Sequence, residues 1–170
     1  MVVLGLDVST NTIGYAFTEN KKILDMGFID ISKQKTIKDK AYQALEMLDD
    51  NMHIDKTEKI IVEDSLSGFA SGFTSMQTII KLSKFNAVMC FLLEWKYDIE
   101  IELINPNTAR KAVFGKARQK GKKAKDFVKE QVERKFKPNG FIKINKRGNP
   151  DKRNIDAYDA LVCAMSSLKM

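Results

Sequence analysis

The sequence predicts an α/β fold in which a five-stranded mixed sheet has helices on both faces. Three short apolar strands open the chain, and two later strands alternate with helices before a helical C-terminal part. A strand meander followed by such alternation is typical of a mixed sheet covered by helices. The 170 residues contain no linker-like segment and no repeat, so we expect one domain over residues 1–170.

The predicted strands are short apolar runs bounded by polar turns. The first three, at 2–8, 12–17 and 23–31, are separated only by turn residues and form a meander. The fourth is KIIVE at 59–63, and the fifth alternates acidic and apolar residues at 99–104.

Helical spacing of apolar residues and capping signals predict five helices. Their expected ranges are 36–52, 73–97, 105–114, 122–136 and 154–168. An Asn-Pro-Asn-Thr cap opens the third, and Gly115 ends it. The helix at 73–97 is apolar over more than one core stripe, which fits either a fully buried helix or a second packing partner.

Composition argues against a disulfide framework, a zinc site and a membrane location. Cys90 and Cys163 are far apart, and His53 is the only histidine. No basic leader precedes an apolar stretch at the N-terminus, and no uninterrupted apolar run reaches the roughly 18 residues of a membrane helix. We therefore expect a cytoplasmic protein without a membrane partner or a small-molecule cofactor.

The charge balance points to a polyanionic partner. The formal net charge is +7, from 29 Lys and Arg against 22 Asp and Glu, and the basic residues crowd the segment 110–153. Nucleic acid is the partner that this pattern favours, and an anionic membrane surface is a less frequent one.

Four acids form the candidate chemical site. Asp7 and Glu63 each stand near the C-terminal end of an apolar strand, where an isolated charge is costly. Ligands collect at such strand ends in related sheets, so the two carboxylates are expected to meet there. Asp156 and Asp159 lie three residues apart on one face of the last helix. Oxygen ligands without Cys or His favour hard ions such as Mg²⁺ or Mn²⁺.

The order of these motifs resembles that of the RuvC-type Holliday junction resolvases. GLDVSTNTIGYA resembles their first two strands, IIVED their strand with the second acid, and DAYDAL their closing Asp-x-x-Asp helix. INPNTARKAVFGK and KGKKAKDFVKEQVE fall where that family has a strand, a short helix and a lysine-bearing helix, so the resemblance covers essentially the whole chain. It implies an RNase H-like fold, a homodimer and paired nicking of branched DNA.

Two features depart from the bacterial members of that family. Val8-Ser9 follows the first aspartate where those members usually have Pro-Gly, and the segment 138–153 is an insertion-like loop before the last helix. We expect a phage-type or otherwise divergent member, active in a bacterial or infected host cytoplasm, whose substrates extend from Holliday junctions to forks or flaps.

The resemblance and the four acids together imply two-metal phosphodiester hydrolysis. Asp7 would bridge two ions, with Glu63, Asp156 and Asp159 completing their shells. By resemblance, Lys125 is the candidate lysine near the scissile phosphate.

Further basic and aromatic residues are candidates for DNA contacts. The cations near the start of the basic helix are Lys116, Arg118, Lys122, Lys123 and Lys125; they form either a phosphate-binding surface or a solvated face. Phe69 and Phe73 either stack on unpaired bases or belong to the core. The helix at 73–97 is the expected dimer contact.

Three other functions are compatible with parts of the sequence. An RNase H-like nuclease acting on RNA or hybrids would use the same acids, and a non-catalytic nucleic-acid-binding module would need only the basic charge. The actin-like ATPases and sugar kinases have a similar first strand, but they need a second domain that 170 residues do not supply.

Overall fold

The computed structural model describes residues 1–64 and 75–167, and its strands form the predicted five-stranded mixed sheet. The strands are β1 (Val2–Val8), β2 (Thr12–Glu19), β3 (Lys22–Asp30), β4 (Thr57–Glu63) and β5 (Ile101–Ile104). Their order across the sheet is β3-β2-β1-β4-β5. The meander β1-β2-β3 is antiparallel, whereas β1, β4 and β5 are parallel.

The five predicted helices are present with small changes at their ends. They are α1 (Ile37–Asp49), α2 (Met76–Tyr97), α3 (Pro106–Phe114), α4 (Ala124–Phe136) and α5 (Asn154–Ser166). The predicted cap of α3 is confirmed, because the Asn105 side chain accepts hydrogen bonds from the backbone N–H groups of Asn107 and Thr108. Gly115 ends this helix with a left-handed φ of 79°.

The side chains of β1 point alternately to the two faces of the sheet and therefore belong to two different core clusters. Its even-numbered residues pack with α1 and α2 in one cluster, which also holds Ile60 and Val62 of β4. Its odd-numbered residues face α5 instead, where Val3 packs against Cys163 and Ala164. Helices α3 and α4 extend this second layer around α5. The expected helices on both faces are therefore confirmed.

Two strand glycines let α5 lie directly on the sheet. A Cβ atom at Gly5 would stand 2.1 Å from the carbonyl oxygen of Ala160, and one at Gly14 would stand 2.0 Å from that of Asp156. Both distances are far below van der Waals contact, and the opposing atoms are helix backbone. Only glycine therefore permits this packing, which fixes the depth and position of α5.

Helix α2 is buried on one stripe and exposed on the opposite one. Phe85, Met89 and Leu93 belong to the core, whereas Phe91 and Trp95 are 64% and 75% exposed. The fully buried alternative is therefore wrong. By length and composition alone α2 could cross a membrane, which the search for uninterrupted apolar runs did not predict. Its core stripe accounts for part of that apolar content, as in the core helices of soluble proteins.

We predict that Gly14→Ala destabilises the protein, because the new methyl group forces α5 away from β2. Overpacking against backbone should lower the free energy of unfolding by about 1–3 kcal/mol or more, measured by urea denaturation. Gly140→Ala is the matched control, since a Cβ there meets no atom within 4 Å. Equal stability of the two variants would contradict the close packing of α5.

Candidate active site

Asp7 and Glu63 lie side by side at one end of the sheet. Strands β1 and β4 are parallel neighbours, and their paired register runs to Leu6 opposite Val62. Asp7 and Glu63 are the next residues on the two strands, and both point to the α5 face because side chains alternate. The sequence prediction that these two acids meet at a strand end is therefore confirmed by the sheet register.

Helix α5 brings two more acids to the same place. Asp156 lies in its first turn and Asp159 one turn later, on the side that faces the sheet. Asp159 is buried, with 5% of its side chain exposed, and Asp156 lies at the rim with 15% exposed. The contact at Gly14 positions them, because it presses the backbone of Asp156 against β2.

All four carboxyl groups have raised pKa values, and loss of solvation is the largest cause in each case. The pKa of Asp7 is raised well above its ordinary value, first by burial and then by repulsion from Glu63. Burial and repulsion from Asp159 raise the pKa of Glu63 to about 8. Water exclusion and like charge both favour the protonated forms, so a cation among these groups would lower their pKa values.

Arg110 of α3 is a buried cation in this cluster that the sequence analysis did not single out. Its Nη2 atom donates a hydrogen bond to Oδ1 of Asp159 at 3.1 Å, and 11% of its side chain is exposed. Its charge lowers the pKa values of Asp159 and Glu63, against the larger effect of burial. The spacing along α3 could have indicated that Arg110 is buried, since Arg110 lies on the same buried stripe of the helix as Ala109 and Val113.

Lys125 is the only predicted phosphate-binding residue that the described structure places beside an acid of the cluster. Its Nζ lies 3.5 Å from Oδ1 of Asp156, and 66% of its side chain is exposed. Its charge lowers the pKa of Asp7 and of Asp156, against the dominant effect of burial. A lysine that reaches the acids from solvent can also meet an approaching anion.

The other predicted basic residues take different positions around the start of α4. Lys122 pairs with Glu130, and Nζ of Lys116 lies 5.8 Å from the ring centroid of Phe127. Arg118 and Lys123 are exposed. None of these four side chains forms an ion pair with an acid of the cluster in the part of the chain that the structure describes. Phe69 and Phe73 lie outside the described residues.

The donor set fits a hard divalent cation, although the side chains are not gathered around one point. The converging ligands are carboxylate oxygens, which Mg²⁺ and Mn²⁺ prefer. Within residues 1–64 and 75–167, no three acid, His or Cys side chains are close enough to hold an ion as they stand. Two of the four carboxylates instead engage the cations of Arg110 and Lys125. Ion binding therefore requires these side chains to move.

Cys163 lies beneath the acids but does not add a ligand. The side chain is fully buried between Val3 and Ile61. Burial, followed by repulsion from Glu63 and Asp7, raises the pKa of its thiol well above the usual value. A neutral, enclosed thiol packs as a small apolar group.

Comparison with known proteins yields one curated relative with full-length similarity. No family model matches the chain. The crossover junction endodeoxyribonuclease RuvC of Petrotoga mobilis is 29% identical over 168 residues, which cover 96% of this chain and 91% of that protein. The similarity therefore extends across both chains.

Solved structures show the same fold at low sequence identity. RuvC of Thermus thermophilus has a TM-score of 0.65 and 18% identity, covering 98% of this chain and 92% of its own. The same protein in complex with a Holliday junction substrate reaches 0.69 at 17% identity, covering 99% and 93%. The yeast mitochondrial Holliday junction resolvase Ydc2 reaches 0.62 at 14% identity, covering 98% and 77%. The predicted RNase H-like fold is thereby confirmed as the fold of these structures, and the sequence is similar to that of one RuvC over nearly its whole length.

Proposed function

We propose that this protein is a divalent-metal-dependent endonuclease that nicks branched DNA, with Holliday junctions as its main substrates and forks or flaps as further ones. The observation that carries the proposal is the meeting of four carboxyl groups with raised pKa values at one end of the sheet. Buried acids that repel one another destabilise a fold, so their concentration favours a functional role. The relatives named above are a crossover junction endonuclease and Holliday junction resolvases. In this proposal residues 1–170 act as one cytoplasmic nuclease domain of phage type.

Asp7, Glu63, Asp156 and Asp159 would hold two Mg²⁺ ions, or Mn²⁺ in their place. Bound ions would supply an acidified water as nucleophile and stabilise charge on the leaving 3′ oxygen. Asp7 lies on the central strand, and its pKa is raised by repulsion from all three other acids, which suits a ligand shared by both ions. No histidine lies in the site, so proton transfer from water falls to a carboxylate.

Arg110 and Lys125 would orient the acids and the substrate. Arg110 fixes Oδ1 of Asp159 from inside the protein, which leaves the second carboxylate oxygen as a ligand. Lys125 would exchange its contact with Asp156 for the scissile phosphate, because its amino group reaches the site from solvent. Lys116, Arg118, Lys122 and Lys123 would bind flanking phosphates. Phe69 and Phe73 are proposed to stack on unpaired bases at the branch point.

Asp7→Asn should lower cleavage of a synthetic four-way junction by on the order of a thousandfold or more, since several kcal/mol of metal-dependent stabilisation are lost. Junction binding should persist, because an amide removes negative charge without removing a phosphate contact. Cleavage is measured on labelled four-way, forked, duplex and RNA–DNA hybrid substrates with and without Mg²⁺.

Asp55→Asn is the control for the same chemical change, at an exposed residue near the opposite end of β4. Preferential cutting of the hybrid would move the function to RNA or hybrid processing. Binding without any cutting by the wild type would favour a non-catalytic DNA-binding module.

Mg²⁺ should stabilise the protein more at about pH 9 than at about pH 6. The pKa of Glu63 is raised from 4.5 to about 8 in the folded protein. At a pH between these two pKa values, the Glu63 carboxyl group is protonated in the folded protein and deprotonated in the unfolded chain. Without metal, stability is therefore greatest below the unfolded pKa and falls as pH rises through about 8. Ions bind the deprotonated carboxylates and offset that loss.

The measurement is the melting temperature with EDTA and with Mg²⁺ at each pH. Glu63→Gln removes the titrating group and should flatten the difference between the two pH values. An Mg²⁺ effect that is equal at both pH values in the wild type would count against ion binding by these acids.

We further propose that the exposed face of α2 forms a homodimer contact. Met76, Ile80, Phe91 and Trp95 lie on one row of the helix, because steps of 4 and 11 residues return to nearly the same side. All four are exposed, and a groove of about 620 Å³ between α1 and α2 continues the apolar surface with Tyr42 and Leu92. A two-fold dimer would present two sites to the two symmetric strands of a junction.

Phe91→Glu should convert the dimer into a monomer, because each partner would bury an unpaired charge at the contact. Light scattering at micromolar protein measures the change. Met52→Glu is the matched control, since Met52 is 78% exposed outside α2. A wild-type monomer, or an unchanged mass of the Phe91→Glu variant, would contradict this interface.

A further inference from the structure

The segment before α5 forms a well-defined basic hairpin, residues 143–151. An antiparallel bridge joins Ile144 and Pro150, and the backbone N–H of Asn145 donates to the carbonyl of Asn149 at 2.8 Å. The Asn145 side chain accepts hydrogen bonds from the N–H groups of Arg147 and Asn149, and Gly148 closes the turn at φ 79°. The tip that carries Lys146 and Arg147 is therefore defined by its own hydrogen bonds.

Two cations and one amide fasten the basic hairpin to the rest of the fold. Asn154 of α5 makes two hydrogen bonds with the backbone of Lys143, and Lys143 Nζ donates to the carbonyl of Phe28 at 3.0 Å. Arg153 pairs with Asp30 and Asp151 and stacks 4.5 Å from the Phe28 ring centroid. These contacts hold the hairpin against the edge strand β3. Lys143 and Arg153 thus act as anchors.

A second set of cations has no anchoring role. Lys146, Arg147, Lys152 and Lys129 are exposed, and no acid within residues 1–64 and 75–167 forms an ion pair with them. Lys129 and Lys152 line a groove of about 450 Å³ between α4 and the start of α5. The groove also reaches Lys125 and Asp156, so it opens onto the acid cluster.

We propose that the basic hairpin and this groove bind the sugar-phosphate backbone of one DNA arm and lead it to the acids. This inference rests on the proposed nuclease function and extends it to the segment 138–153. The cations come from three elements, α4, the hairpin and the turn before α5, which suits a long polyanion better than a single phosphate. Four of the seven residues that line the groove are Lys or Arg, against the two acids Asp126 and Asp156, so the lining carries a net positive charge that suits a polyanion.

The test compares two triple variants with the same loss of charge. Lys146→Gln, Arg147→Gln and Lys152→Gln together, called the hairpin variant, remove two cations of the hairpin and one of the groove but leave both anchors and Lys125 intact. The control combines Lys21→Gln, Lys22→Gln and Lys56→Gln, which are exposed at the opposite end of the sheet. Binding to a labelled four-way junction is measured by fluorescence anisotropy with EDTA over a range of salt concentrations.

The hairpin variant should bind the junction roughly tenfold or more weakly at ~0.1 M salt, and each lost phosphate contact should lower the slope of log affinity against log salt by about 0.9. The control should bind like the wild type. At sub-saturating protein with Mg²⁺, cleavage by the hairpin variant should fall in step with its affinity for the junction. Matching melting temperatures confirm that the variants fold.

The outcomes separate this inference from the proposed function. Wild-type affinity and salt dependence in the hairpin variant, with cleavage by the wild type, would overturn only the inference. Equal weakening of both variants would also overturn it, since net charge alone would then be responsible. If the wild type neither binds nor cuts DNA, the proposed function fails as well.

Discussion

The close packing of α5 against β1 and β2 is the constraint on which the site depends. Gly5 and Gly14 have no side chains, so the backbone of α5 touches the two strands at Ala160 and Asp156. If side chains at these two positions pushed the helix away from the strands, its acids would raise the pKa values of Asp7 and Glu63 less than they do here. Gly5 and Gly14 therefore allow the packing of α5 and also determine how strongly the acids of the site interact.

The packing that creates the site also makes it costly. Four acids in a poorly hydrated space favour their protonated forms, and the fold offsets this only in part through Arg110 and Lys125. A core evolved only for stability would place apolar residues at these positions. The unfavourable electrostatics are thus the main physical support for the cation that we propose at this cluster. The two basic partners differ in use, since Arg110 is buried and fixed while Lys125 is free to leave.

Sequence patterns predicted the fold well, because the alternation of apolar residues in strands and their spacing in helices indicate which side chains are buried. The register that joins Asp7 to Glu63 followed from their places at the ends of two apolar strands. Arg110 was missed because a lone arginine in a basic segment resembles a solvated charge until its helix face is known. The shape of residues 138–153 was missed because Phe28 and Asp30, which its anchor residue Arg153 contacts, are distant in sequence. Only the tertiary structure shows which cations fasten the hairpin and which are exposed.

The acids and the exposed cations differ in how rigidly the fold holds them. The acids lie on strands and on a helix that is packed against them, so their positions are fixed by backbone contacts. Exposed cations of α4 and of the turn before α5 line the groove that reaches Asp156, and their long side chains can adapt to a phosphate backbone. The hairpin is nevertheless fastened to β3 through Lys143 and Arg153, so its backbone is held at the edge of the sheet. A flexible basic tail would raise affinity for any polyanion, whereas a fastened one also selects the direction from which the strand enters.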